Sequence, residues 1–86
     1  MSLESMRRDV RTENVDFGPH VIQRMWENAL SIDQVLDVIV NGTVRKRESD
    51  KASLGRFVKF TISRRGIIVV VKDCSPAFII TANRSH

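Results

Sequence analysis

The pair of side chains best suited to chemistry is His20 and Arg24, which stand four residues apart in the run Pro19-His20-Val21-Ile22-Gln23-Arg24. On a helix that spacing places an imidazole and a guanidinium on one side, a turn apart, with Glu27 one turn further on. Cleaving RNA without a metal needs a group to take the 2′-hydroxyl proton, a cation to offset charge building on the phosphoryl oxygens, and an acid for the leaving oxygen. His20 and Arg24 fill two of those roles. Plainer readings stand beside this one. A histidine at a helix start bonds a nearby carbonyl or packs on an aromatic such as Trp26, and Arg24 pairs with Glu27 or Asn28.

The densest basic run is Thr43-Val44-Arg45-Lys46-Arg47, and Arg56, Lys59, Arg64 and Arg65 follow it closely. If the two segments pair as strands, Arg45, Arg47, Arg56 and Lys59 form a stripe that neutralises RNA phosphates and makes binding salt-dependent. The same charges would also protect an edge strand from self-pairing. Cys74 sits in a turn beside Asp73 with no histidine near it in sequence, a poor setting for a nucleophile. It is the only cysteine, and His20 and His86 are the only histidines. An intramolecular disulfide is therefore impossible, a Cys/His zinc site cannot be assembled, and no metal or cofactor is expected. The chain has no phosphate-cradling glycine loop and no aromatic run for stacking bases.

The elements that must position these groups read as α+β. Residues Met1 to Val15 carry Arg7, Arg8 and Arg11 with little apolar periodicity, and are expected to be a mobile basic arm, in part a cloning remnant. One domain then runs from Asp16 to Asn83. Its first helix begins near Pro19, whose fixed φ suits a first turn, and the stripe Ile22, Met25, Trp26 and Ala29 is expected to face the core. A second helix begins at Ser31, where Ser31 and Gln34 form a capping box and Leu30 and Val35 a hydrophobic staple. Ile32, Val35, Leu36 and Ile39 make its buried face, and Asn41-Gly42 ends it in the left-handed region. After Gly42 the period falls to two, predicting four strands over Thr43 to Glu48, Arg56 to Ser63, Ile67 to Lys72 and Ala77 to Ala82. Short connections such as Arg64-Arg65-Gly66 make them antiparallel neighbours, with the last two strands central because they are apolar on both faces. Two N-terminal helices on a four-stranded, mainly antiparallel sheet result.

At 86 residues there is room for one core only, burying roughly 60% of the unfolded surface. The net charge of +4, from 14 Lys and Arg against 10 Asp and Glu, attracts a polyanion, an acidic membrane or an acidic protein without choosing among them. The longest apolar run, Ile67 to Val71, is far short of the roughly 20 residues of a membrane helix, and the start lacks a signal-peptide core, so the expected compartment is the cytoplasm.

Phe17-Gly18-Pro19-His20, then Arg24-Met25, Leu30-Ser31-Ile32-Asp33-Gln34-Val35, Asn41-Gly42, Val69-Val70-Val71 and Ile80-Thr81, together resemble the bacterial family called domain of unknown function 4258. The resemblance covers about Val15 to Asn83. It implies two helices on a curled antiparallel sheet, similar to the barnase, EndoU, colicin and RelE group of metal-independent ribonucleases and toxins. Carried over, His20 is a general base or acid, Arg24 and Arg56 contact phosphate, and Thr81 orients substrate at the sheet's end. Members often have an arginine where this chain has Asn28 or Ala29, so one supporting cation is missing. The implied activity is that of a small toxin-like endoribonuclease, with RNA as partner and an antitoxin or immunity protein covering the site. The competing expectation is a non-enzymatic module that docks RNA or an acidic protein through the basic stripe, or a homodimer joined through the second apolar face of the last two strands.

Overall fold

The strongest local signal in the sequence is the beginning of the third helix. In the computed structural model, which describes residues 3–85, Ser31 Oγ accepts from Gln34 N at 3.1 Å while Gln34 Oε1 accepts from Ser31 N at 2.8 Å, closing the capping box. Two of the orphan N–H groups of a helix start are thereby satisfied. This helix, α3, spans Ile32–Asn41 and buries Val35, Val38 and Ile39 completely or nearly so, each burial being worth roughly 1.5–3 kcal/mol. Ile32 is exposed and Leu36 half-buried, so the inward face is rotated by part of a turn from the expected one.

The helix before it, α2 at Val21–Glu27, buries Val21 and Met25. Ile22 and Trp26, expected in the core, are exposed instead. Two ladders of apolar residues four apart were available in a helix of only seven residues, and the one that faces inward is Val21 and Met25 rather than Ile22 and Trp26. Ala29 is not helical: it takes φ 53°, and the N–H of Leu30 donates to Met25 O at 2.8 Å, closing the helix by a left-handed turn. Arg84 completes that end from the far terminus of the sheet, donating to Asn28 O at 2.7 Å and Ala29 O at 3.1 Å.

Residues expected to be a free arm form a further helix, and the last of them, Val15, opens a strand. Met1, Ser2 and His86, which fall within the expected arm and the metal-ligand count, lie outside the described residues. The first helix, α1 at Leu3–Arg11, buries Met6 and Val10 against α3 and the sheet. Arg7 donates to Ile39 O at 2.9 Å and Gly42 O at 2.8 Å, satisfying carbonyls that α3 leaves open at its C-terminus. Gly42 itself is extended, φ −78° and ψ 174°, rather than left-handed. The chain needs glycine there for space, since a Cβ would lie 2.3 Å from Val38 O and 2.8 Å from Ser63 O.

The sheet has five strands, in the order β1-β5-β4-β3-β2, and is mixed and unclosed rather than four-stranded. β2 (Thr43–Ser49), β3 (Val58–Arg64), β4 (Ile67–Lys72) and β5 (Ala77–Arg84) form an antiparallel meander, and the short β1 (Val15–Phe17) joins β5 in parallel. The β3–β4 turn has two residues, Arg65 and Gly66, both at positive φ of 51° and 77°, which matches the right-handed twist of the strands it joins. Alternate residues Phe60, Ile62, Ile67, Val69, Val71, Ala77, Ile79 and Ala82 are buried beneath the helices. The intervening side chains form a second face on which no helix rests. Among the described residues no helix is long and apolar enough to cross a membrane.

Candidate functional site

Because α2 turns Val21 and Met25 inward, the 100° step of a helix carries His20, Arg24 and Glu27 to one outward ridge. His20 is the residue before the first turn and makes no capping bond. None of the plainer readings holds for these side chains. Neither the imidazole nor the guanidinium bonds any other described residue, and the contact to Asn28 runs only to the Arg24 carbonyl, which accepts from Asn28 Nδ2 at 2.8 Å. With Gln23 and Glu27 they line an open cavity of about 320 Å³. An imidazole, a guanidinium and a carboxylate thus stand in that order along one ridge.

The uncovered face of the sheet holds some of the other expected residues. Thr81 lies opposite Val70 at a register shift in β5 and is half-buried on this face. Lys59 lies here too, its ammonium 3.8 Å from Glu48, which also meets Lys46 at 3.4 Å. Arg45 reaches this face as the extra residue of a bulge between Val44 and Lys46. Arg47 pairs with Phe60, a buried residue, so it stands on the helix side of the edge strand. Arg56 precedes β3 and lines a small cavity with Phe57, Val58 and Asp73. The four expected cations therefore do not form one stripe.

The profile of the family described as Domain of unknown function (DUF4258) matches residues 17–84. The chain belongs to this family. The match takes in α2, α3 and all four strands of the meander, and leaves α1 outside. No curated protein and no solved structure matches the chain.

Sequence reasoning missed a second cavity of this DUF4258 domain. It opens where α3, β2 and the β3–β4 turn meet, with a volume of about 650 Å³, and Arg45, Ser63, Arg64 and Arg65 are in its wall. No spacing rule could have found it, because its members come from α3, three strands and a turn, and meet only through the sheet register. Among the described residues no three His, Cys, Asp or Glu side chains gather as a metal site.

Four acidic or thiol groups among the described residues have shifted protonation, Asp37, Asp50, Asp73 and Cys74. Burial opposes ionisation of Asp50, but the Lys72 ammonium at 3.2 Å outweighs it and holds the carboxyl below its usual value. Lys72 also lies over the rings of Phe78 and Phe57, at 5.2 and 5.9 Å, so its charge is spoken for. Burial pushes the Cys74 thiol up, which leaves little thiolate at neutral pH.

Burial likewise pushes Asp73 up, and its Oδ1 has no hydrogen-bond partner among the described residues. The folded state then keeps a proton that the unfolded chain has lost, so stability falls as pH rises from the ordinary aspartate value through the raised one. Asp73→Asn removes the buried charge and is expected to raise the melting temperature at pH 7, with the gain shrinking as pH approaches 4. For a domain of this size each kcal/mol moves Tm by about 4–8 °C, so thermal scans at both pH values resolve the effect. A gain that is the same at both would refute the assignment.

Proposed function

We propose that this domain is a small endoribonuclease that cleaves RNA by acid–base and electrostatic catalysis from its own side chains. The observation that carries the reading is the His20–Arg24–Glu27 ridge, on which two proton carriers flank a guanidinium with no partner among the described residues. In an in-line displacement the attacking 2′-oxygen and the leaving 5′-oxygen lie on opposite sides of phosphorus. From His20 to Glu27 the helix axis advances about 10 Å, enough to seat a phosphate at Arg24 with a proton carrier on each side. The 2′-hydroxyl gives its proton to one carrier as the new P–O bond forms. The other protonates the 5′-oxygen as its bond to phosphorus breaks, leaving a 2′,3′-cyclic phosphate and a 5′-hydroxyl.

The resemblance to the barnase, EndoU, colicin and RelE group agrees with this chemistry and supplies the expectation of a toxin with a cognate antitoxin or immunity protein. Thr81 and the cations Arg45 and Lys59, on the uncovered face, are in this reading contacts to the strand. Incubation of the protein with tRNA and total RNA in EDTA is expected to give new ends of the stated chemistry. Intact RNA after exposure to folded protein would overturn the reading. RNA binding without cuts, weakened by salt and by charge reversal at Arg45 and Arg47, would identify the non-enzymatic binding module instead.

A further inference from the structure

The cavity between α3, β2 and the β3–β4 turn is lined by three arginines and by no acidic residue. Two of the guanidiniums are fixed from behind. Arg45 donates from Nε to Ser63 Oγ at 2.7 Å, and Arg64 donates from Nε to Asp37 Oδ2 at 2.9 Å. Asp37 is in turn braced by Asn41 Nδ2 at 2.8 Å, and the bonds from Asn41 and Arg64 hold its carboxyl below the usual carboxylate value. Holding an arginine by Nε orients its plane and leaves the terminal nitrogens to bond something else; here they have no partner among the described residues.

The backbone also serves this arrangement. In a regular strand Arg45 and Lys46 would alternate faces, whereas the bulge adds Arg45 as an extra residue beside Thr61 and Ser63. Arg65 is presented by the two-residue turn, whose geometry is fixed by the flanking ladder. Hydroxyls of Thr43, Thr61 and Ser63 add donors, and the side chain of Ile68 supplies an apolar patch.

We propose that this cavity is a phosphate-binding site sized for a nucleotide. A carboxylate has two oxygens and would leave most of these donors idle, while a phosphate offers enough acceptors for several guanidinium forks and hydroxyls. A volume of about 650 Å³ lies within the range of small-molecule sites and is far larger than phosphate alone, leaving the Ile68 side for a nucleoside. Its residues are all distinct from those of the α2 ridge, and only Arg45 is shared with the strand contacts proposed above, so the site stands whether or not the domain cuts RNA.

The test is titration of the wild-type protein with inorganic phosphate, 5′-AMP and a short RNA carrying hydroxyl ends, read by amide chemical shifts and calorimetry. Shifts are expected at Thr43, Arg45, Ser63 and Arg65, with 5′-AMP binding more tightly than phosphate. Arg45→Ala and Arg65→Ala are each expected to weaken binding about tenfold, while His20→Ala leaves it unchanged. Competition between 5′-AMP and the RNA at the same amides assigns the phosphate to either source, and an RNA that fails to compete assigns it to free nucleotide. Ser63→Ala, which frees the Arg45 head without removing charge, is expected to weaken binding less than Arg45→Ala does. No shifts at these amides, or shifts indifferent to both arginine variants in folded protein, would overturn the proposal.

Discussion

His20→Ala is expected to lower the rate of RNA cleavage by about 10²–10⁴-fold, the usual worth of a positioned proton carrier. The melting temperature should not move, because the imidazole is exposed, caps nothing and bonds nothing among the described residues. That combination separates a chemical role from a structural one. Arg24 supplies the control. A lysine there keeps the charge but loses the two-pronged geometry, so Arg24→Lys should retain more activity than Arg24→Ala and less than wild type. Initial rates on one RNA substrate, with thermal scans of each variant, check both statements. Equal rates for wild type and His20→Ala would remove the ridge from the mechanism and leave any cleavage to another part of the surface.

Gly42→Ala is expected to cost about 3 kcal/mol or more, at the upper end of what forced overpacking does. The backbone there, at φ −78°, suits any residue, so the whole penalty is steric. An added Cβ meets Val38 O at 2.3 Å, Ser63 O at 2.8 Å and the Ile62 methyl at 2.7 Å, and two of those three contacts are backbone atoms that cannot step aside. Relief requires α3 to lift from β3, which would also pull Gly42 O from Arg7. The midpoint of urea unfolding measures this. A loss below about 1 kcal/mol would show that the junction yields more readily than packed interiors do.

The parts of the fold that the sequence made legible are those decided by neighbours in the chain. The Ser31 and Gln34 reciprocal bonds need only four residues, and the alternation of Phe60, Ile62, Val69 and Val71 declares a face without reference to anything distant. The parts it hid depend on remote partners. α1 shows only Leu3, Met6 and Val10 among charges, and it is held by α3 carbonyls that accept from Arg7. β1 is three residues long and finds its partner at Ala77–Ile79, far along the chain. The candidate ridge was visible as a helical spacing, but that His20 and Arg24 have no side-chain partner among the described residues was not, and nothing local announced that Arg45 and Arg65 would face one cavity.

The parallel pairing of β1 with β5 also constrains the order in which the molecule can assemble. The β2–β5 meander joins neighbours through short turns and can form from local contacts, which are fast to close. β1 must wait. Its ladder partners Ala77, Phe78 and Ile79 leave the ribosome only after α2, α3 and the strands β2–β4, and the backbone of Gly18, just ahead of α2, bonds to Ile79 as well. Arg84, which closes the C-terminal end of α2, emerges later still. The helix that carries His20 is therefore seated at both ends only once β5 is in place, so during synthesis the ridge acquires its final geometry well after its own residues have been made.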